Sequence, residues 1–317
     1  MMRSLFVVMV VTGCGFNVEA GLAPGDGSTG DAPDDGPHDA PLDTPPSSSC
    51  LAKWMAGTVQ LSQPTQLLQL GSPTDDDRDP FISTDELTLY FSSDRSGSAG
   101  NSDIYAGKRL SRMDSFGTPS KVPDLSSGNY DTRVSLSGDE LTAVRSADVA
   151  GDPDLALATR TNTSGVFGSF SPALFDSIND TGPQLDPELS YDGMRLYFSE
   201  GSPQKIVMIS RAASNAPFGN PIVIDVGGGS NADPALSDDE RILIFASSRS
   251  GAGDIYYATR ASASGPFGAP TLVPTINDSN DADGDPTLSS DGCTLYFASN
   301  RGTGGDWDLY ASTVVLP

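Results

Sequence analysis

The sequence is poor in residues that hydrolytic enzymes commonly use for catalysis. It contains one histidine, His38, which lies in a stretch rich in Gly, Pro, Asp and Ser. The remainder of the chain therefore has no imidazole for a Ser-His-Asp or Cys-His site, or for a zinc site that needs histidine. The sequence also has no nucleophile elbow and no phosphate-binding loop.

Positive charge is scarce as well. The chain has 18 Lys and Arg against 42 Asp and Glu, a formal net charge of −24. Phosphate binding needs clustered cations, so nucleic acid is excluded as a partner, and docking on anionic lipid is disfavoured. The balance permits a cationic ligand, a metal ion or a basic protein partner. It is equally consistent with acidic residues that only keep a β-rich protein soluble.

Long hydrophobic runs are also missing, except for a short one at the start of the chain. Arg3 precedes apolar residues 5–11, a run too short to span a bilayer as a helix. The residues Val11-Thr12-Gly13-Cys14 then resemble the bacterial lipobox. This resemblance implies that Cys14 becomes the first mature residue and is acylated, which would give stable membrane anchoring. A plain secretory signal with a coincidental cysteine is the alternative.

These features divide the chain into three parts. Residues 1–13 are expected to be a lipoprotein signal peptide, residues 14–52 a lipid-anchored cysteine with a disordered linker, and residues 53–317 the folded domain. We expect the protein in the bacterial cell envelope, at the outer membrane because Gly15 rather than Asp follows Cys14. Whether it faces the periplasm or the cell surface is left open. Cys50 and Cys293 remain, and they either form a disulfide or stay as thiols.

A unit of about fifty residues occurs five times and organises the rest of the chain. Its last copy runs Asp-Pro-Thr-Leu-Ser-Ser-Asp-Gly-Cys-Thr-Leu-Tyr-Phe-Ala-Ser from Asp285. A short strand, a tight Asp-Gly turn and a second apolar strand can be read from it. Tandem units of this length made of short strands predict a β-propeller. The copies open at Asp79, Asp131, Asp186, Asp233 and Asp285.

The ends of the repeat array indicate how the propeller closes. Four copies continue into a Phe-Gly step and a fourth strand, but the last copy ends before it. Residues 61–67, ahead of the first copy, align with residues 267–273. We therefore predict one all-β domain of five four-stranded blades, closed by an N-terminal strand that completes the last blade. Six blades is the alternative. The same closure brings Cys50 towards Cys293, and we expect a monomer.

The unit resembles the TolB-type β-propeller repeat, a relative of WD repeats found in bacterial periplasmic proteins and in propellers attached to peptidases. The resemblance covers residues 79–313. The second copy departs from it, with Thr132 in place of Pro and Ala143-Val144 in place of Tyr-Phe, and the third has Lys205 where the other copies have Asp. Because the repeated residues are architectural, the resemblance implies a fold rather than an activity.

The resemblance also places the strand that opens each blade nearest the central channel. It implies that Asp79, Asp131, Asp186, Asp233 and Asp285 form a ring at one mouth, a candidate site for a cation or for Lys and Arg groups. The alternative is that each aspartate caps its own turn. Ca²⁺ is the one cofactor considered, although residues 278–284 fail the EF-hand pattern because Ala282 occupies a ligand position. The residues predicted to line the channel are Phe81, Arg133, Glu188, Ala235 and Thr287.

Paired charges within the repeat predict an ion pair inside each blade. The pairs are Arg95 with Asp103, Arg249 with Asp254, and Arg301 with Asp308.

Two functions of different classes remain open. The first is a non-enzymatic binding or scaffold module that holds an envelope protein or a glycan. The second is a glycoside hydrolase, which would need paired carboxylates about 5–10 Å apart. Glu188 and Glu200 are its candidates outside the repeat register, and nothing in the sequence marks them as a pair.

Overall fold

The computed structural model describes residues 50–72, 74–95, 102–149, 152–179, 182–251, 253–278, 280–302 and 305–316. The predicted signal peptide, Cys14 and residues 15–49 lie outside the described residues. The elements are α1 (Cys50–Met55), β1 (Thr65–Gln66), β2 (Asp77–Ile82), β3 (Thr88–Ser93), β4 (Asp103–Lys108), β5 (Ser120–Lys121), β6 (Asp131–Leu136), β7 (Thr142–Val149), β8 (Asp152–Thr159), β9 (Gln184–Leu189), β10 (Arg195–Glu200), β11 (Lys205–Ser210), β12 (Ile222–Val223), β13 (Asn231–Leu236), β14 (Ile242–Ser247), β15 (Asp254–Thr259), β16 (Thr271–Leu272), β17 (Asp283–Leu288), β18 (Thr294–Ser299) and β19 (Asp308–Thr313), with a 3-10 turn at Ser248–Ser250.

The strands form five antiparallel sheets, which confirms the five-bladed propeller. In chain order the blades are β2–β5, β6–β8, β9–β12, β13–β16 and β17–β19 with β1. The described part of the second blade has three strands, and a single bridge between Leu157 and Ser171 stands in place of a fourth. Apolar clusters lie between neighbouring sheets, so the core is divided into several parts rather than one centre.

A Ser-x-Asp turn joins the first two strands in every blade. In the first blade, Ser83 Oγ donates to Asp85 Oδ1 at 2.7 Å and accepts from the backbone N–H of Thr88 at 2.9 Å. The same pair of bonds recurs at Ser137, Ser190, Ser237 and Ser289. These side chains supply partners that the backbone of a tight turn lacks, so the repeated Ser and Asp fix each hairpin.

A stacked Arg and Phe hold the loop that follows the third strand. Arg211 lies 4.8 Å from the ring centre of Phe218 and donates from Nε to Gly193 O at 2.8 Å. The first, second and fourth blades repeat this arrangement with Arg109 and Phe116, Arg160 and Phe167, and Arg260 and Phe267. The fifth blade replaces the pair with Val314 and Leu61, which form a β-bridge. Leu61 therefore occupies the position that Phe267 has one blade earlier.

The N-terminal segment closes the ring as the sequence predicted. Thr65 pairs with Ala311 and Gln66 with Tyr310, matching the pairing of β16 with β15 in the fourth blade. Helix α1 begins at Cys50, ahead of the expected domain start at residue 53, and a disulfide joins Cys50 to Cys293 with the Cα atoms 5.0 Å apart. Trp54 is fully buried and donates from Nε1 to Gly292 O at 2.9 Å.

The predicted arginine–aspartate pairs within the blades are wrong in their partners. Arg95 binds Asp77 on the first strand, and Arg301 binds Asp283 at the equivalent position. In the fourth blade Arg249 Nη2 donates to Asn231 Oδ1 at 2.8 Å. Each arginine thus reaches back to the innermost strand, while Asp103 pairs with Lys121 on the outer strand at 2.7 Å.

Candidate functional site

One end of the channel opens into a cavity of about 460 Å³, which we call the funnel. Residues near the start of the innermost strands line it, together with Tyr130, Gln204 and Trp307. Four of the predicted aspartates lie in its wall, namely Asp79, Asp186, Asp233 and Asp285. The residue before each of these four aspartates, and Thr132 in the second blade, also line the funnel. These five residues differ from blade to blade and form the rim: Arg78, Thr132, Leu185, Ala232 and Gly284.

The fifth predicted aspartate, Asp131, lies outside this cluster. Leu136 pairs with Ala143 as Ile82 pairs with Leu89, so the register makes Asp131 equivalent to Asp77. The residue equivalent to Asp79 is Arg133. The alignment of the second copy is therefore two residues out of register. The Ser-x-Asp turn could have shown this, because Ser137 follows Arg133 by the same number of residues as Ser83 follows Asp79.

A backbone irregularity directs the four aspartates into the funnel. Each has a positive φ between 52° and 54°, and each precedes a proline at a register shift in the strand pairing. Proline has no N–H to give to the ladder, and a bulge re-aims the side chain next to it. The left-handed conformation is one that Asp tolerates better than most residues. Arg133 precedes Val134 and is not among the positive-φ residues.

The aspartates bind one another and the neighbouring blades. Asp186 and Asp233 share a side-chain hydrogen bond, and Asp233 Oδ2 accepts from the backbone N–H of Asp285 at 3.1 Å. Ser92 Oγ donates to Asp79 Oδ2 at 2.6 Å. Burial, followed by repulsion from Asp285 and Asp186, raises the pKa of Asp79 to about 7. Burial and the Asp186 charge also raise the pKa of Asp233, so the cluster retains protons that isolated carboxyl groups would release.

One cation lies over this cluster. Arg78 Nε is 3.1 Å from Asp285 Oδ2, and its guanidinium lies 4.0 Å from the ring centre of Trp307. Its side chain is partly exposed at the rim. The Asp285 charge raises the pKa of Arg78, so this cation stays charged and partly neutralises the mouth.

A second cation, Arg133, lies behind the lining of the funnel, within electrostatic reach of Asp79, Asp186 and Asp233, and we call it the floor. Arg133 is completely buried, and its Nη2 donates to Pro286 O at 3.0 Å and to Glu188 Oε2 at 3.2 Å. These partners belong to the fifth and third blades, so the guanidinium of the second blade reaches across the axis. Beneath it lies a cavity of only about 40 Å³, lined by Phe81, Glu188 and Thr287. Ala235, the remaining predicted lining residue, is fully buried in an apolar cluster.

The opposite end of the channel is narrowed by the middle residues of the five Ser-x-Asp turns. Thr84 Oγ1 donates to Gly138 O at 3.1 Å, and the backbone N–H of Gly138 donates to Tyr191 O at 2.8 Å. Ser290 Oγ lies 3.5 Å from Thr84 O, and Ser290 also bonds Asp238. We call this end the closed face. The funnel is therefore a blind cavity with one wide mouth.

Other predicted site residues are not brought together. Glu188 is paired below the floor, whereas Glu200 lines a separate cavity with Lys205 and Pro203. Among the described residues no group of three or more His, Cys, Asp or Glu side chains has the geometry of a metal site. In the same part of the chain, every helix is too short or too polar to cross a bilayer.

Comparison with known proteins places the fold but not the activity. The sequence matches no family model and no curated protein. A thermostable family-43 glycoside hydrolase is similar over 78% of this chain and 96% of its own, with 15% identity and a TM-score of 0.54. The catalytic domain of a GH62 α-L-arabinofuranosidase from Coprinopsis cinerea is similar over 81% and 96%, with 13% identity and a TM-score of 0.54. A putative TolB from Agrobacterium tumefaciens is similar over 76% and 78%, with 19% identity and a TM-score of 0.46. At these identities the glycoside hydrolases show that this chain shares their fold.

Proposed function

We propose that the protein is a non-enzymatic binding module of the bacterial cell envelope, anchored through lipid on Cys14. Its ligand, a segment of an envelope protein or a glycan, enters the funnel. The main support for this proposal is that the funnel is a blind cavity of about 460 Å³ whose rim residues differ from blade to blade. A repeated architectural position has no need for such variety, whereas a specific binding site does.

The contacts that the carboxylates make support binding rather than catalysis. Each of the four funnel aspartates contacts a serine, an arginine or another aspartate, and Glu188 is held by Arg133. A glycosidase instead needs two carboxyl groups flanking the position of the scissile bond. The two glutamates considered for that role lie in different cavities.

Blocking the funnel tests this proposal. Ala232 is one of the rim residues, so Ala232→Trp should fill part of the mouth. Ala261→Trp, at an exposed loop position outside the funnel, is the matched control. Affinity capture from envelope extract and a glycan array should both be run with the lipidated protein. A ligand retained by the wild type and by Ala261→Trp, but lost by Ala232→Trp, would support the proposal. Equal retention by all three proteins would contradict it.

A glycoside hydrolase is the second candidate, favoured by one observation. Asp79 has a pKa of about 7, and a carboxyl group that keeps its proton near neutrality is what a general acid requires. Turnover of aryl glycosides or polysaccharides by the wild type, lost in Asp79→Asn, would establish this activity. Binding without turnover would leave the module non-enzymatic.

A further inference from the structure

The closed face carries two large apolar side chains that the fold does not need there. Leu110 is 95% exposed and Met113 is 94% exposed, both in the loop after β4. The equivalent loops contain Ala212 and Asn215 in the third blade, and Ala261 and Ser264 in the fourth. These blades show that small or polar residues satisfy the loop, so packing does not explain Leu110 and Met113.

The same loop lies beside the point where the N-terminal segment joins the propeller. Arg112 Nη1, between the two apolar residues, is 3.7 Å from Asp291 Oδ2. Asp291 is two residues before Cys293, whose disulfide fixes Cys50 to the closed face. Leu51 also packs here, because a Cβ at Gly292 would meet Leu51 Cδ2 at 2.5 Å. The exposed apolar pair and the attachment of the N-terminal chain are therefore neighbours.

We propose that the closed face around Leu110 and Met113 lies against the membrane that anchors the chain, so that the funnel opens away from it. This inference rests on the lipid anchor of the proposed function. The occupant is a zwitterionic phospholipid surface, because a net charge of −24 disfavours anionic lipid. Val166, 77% exposed in the equivalent loop of the second blade, lies on the same face.

The anchor explains why so small an apolar patch would be sufficient. Two inserted side chains give binding only on the order of millimolar for a free protein. A protein anchored at one end of its chain experiences its membrane at an effective concentration that is also on the order of millimolar. Docking should therefore depend on the tether, and it should be nearly independent of salt because ion pairs contribute little.

Photocrosslinking in a membrane tests the orientation. The mature lipoprotein is reconstituted into vesicles of phosphatidylcholine and phosphatidylethanolamine that contain a photoactivatable lipid, and adducts are mapped by mass spectrometry. We expect adducts concentrated in residues 109–117, reduced at least about fivefold in the double variant Leu110→Ser, Met113→Ser. Both side chains are almost fully exposed, so this variant should keep the wild-type melting temperature.

The matched control is Ile222→Ser, Val223→Ser, which removes apolar side chains that are 56% and 55% exposed on the outer strand β12. It should leave the adducts unchanged. Adducts spread evenly over the surface, or insensitive to the Leu110 and Met113 changes, would overturn the inference. So would crosslinking of this loop to a co-purified protein instead of lipid. If Cys14→Ser floats with vesicles as the wild type does, or if neither floats, the lipid anchor itself is refuted and the orientation falls with it.

Discussion

At the scale of single residues, the funnel is determined by one departure from the repeat. Four blades place an aspartate at the bulge, and the second blade places Arg133 there. Its guanidinium crosses the axis to Pro286 O and Glu188 and so blocks the channel. It also places a positive charge close to the funnel carboxylates. Arg133 Nε and Nη1 find no hydrogen-bond partner in the part of the chain that the structure describes, which makes the surrounding carboxylate charge important for holding this cation in place.

The proton on Asp79 should make stability depend on pH. The pKa of Asp79 is about 7 in the folded protein, against 3.8 for an ordinary aspartate. Between these values the folded protein holds a proton that the unfolded chain has released, so raising the pH favours unfolding by up to about 1.4 kcal/mol per pH unit. The stability that the protonated Asp79 contributes is fully present below about pH 4 and is lost as the pH rises to about 7. Asp79→Asn keeps an acceptor for Ser92, and we expect its melting temperature to fall less than that of the wild type between pH 4 and 8.

The control for that measurement is Asp176→Asn, at an exposed position away from the funnel. Its pH profile should follow the wild type. A profile of Asp79→Asn as steep as that of the wild type would show that Asp79 is not the group that titrates.

The buried ion pair between Arg133 and Glu188 should be important for stability. Arg133→Met removes the cation that pairs with the buried Glu188 among the described residues, and leaving such a charge uncompensated costs about 3–5 kcal/mol. Urea unfolding should show a loss of that size. The double variant Arg133→Met, Glu188→Gln removes both charges and should recover most of it. A single variant as stable as the wild type would mean that the ion pair does not hold the floor.

At the scale of elements, the stacked Arg and Phe stabilise the loop after the third strand, as the Ser-x-Asp side chains stabilise the turn between the first two strands. Arg211 joins the loop to the turn by donating to Gly193 O at 2.8 Å and to Ser214 O at 2.6 Å while it covers Phe218. The guanidinium satisfies backbone carbonyls and covers an aromatic ring at once, which a lysine cannot do. Repetition of this arrangement in four blades indicates an architectural role.

Arg211→Lys should therefore destabilise the protein although it preserves the charge. We expect a loss of about 1–2 kcal/mol from the missing hydrogen bonds and stacking, measured by urea unfolding. Arg241→Lys is the control, because its ion pair with Asp239 spans 3.9 Å at the surface and should contribute less than about 0.5 kcal/mol. Equal losses in the two variants would contradict a special role for the stacked position.

The elements also show what the sequence can and cannot predict. The blade count and the completion of the last blade were predictable, because residues 61–67 and 267–273 share a pattern that only one ring closure satisfies. The partners of Arg95 and Arg301 were missed because two acidic residues per blade lie within reach in sequence, and only strand pairing shows which is close. The second copy is predicted out of register because it has no Asp-Pro pair, and Asp131 is the nearby aspartate that its sequence offers as the opening residue.

At the scale of the whole molecule, the ring depends on a very short strand. β1 contributes two paired residues, supported by a bridge from Leu61 to Val314. The disulfide between Cys50 and Cys293, which are 243 positions apart in sequence, secures the same end of the chain to the last blade. Closure of so long a loop restricts the unfolded chain and can contribute up to about 5 kcal/mol. Strand and disulfide therefore hold the same junction and should substitute for each other in part.

Because β1 and the disulfide hold the same junction, the losses of stability caused by removing each of them should not add. Leu67→Pro removes the N–H that donates to Leu309 O at 2.8 Å, so it should weaken β1. Alone it should lower the melting temperature moderately, because the disulfide still holds the junction. Combined with Cys50→Ser and Cys293→Ser, it should cause a loss larger than the sum of the separate changes. Val122→Pro, which removes the equivalent bond to Ile104 O at 2.8 Å in the first blade, is the matched control and should combine additively with the cysteine changes, because Val122 packs in a different apolar cluster from Cys50. Additive losses in both cases would show that the disulfide takes no part in closing the ring.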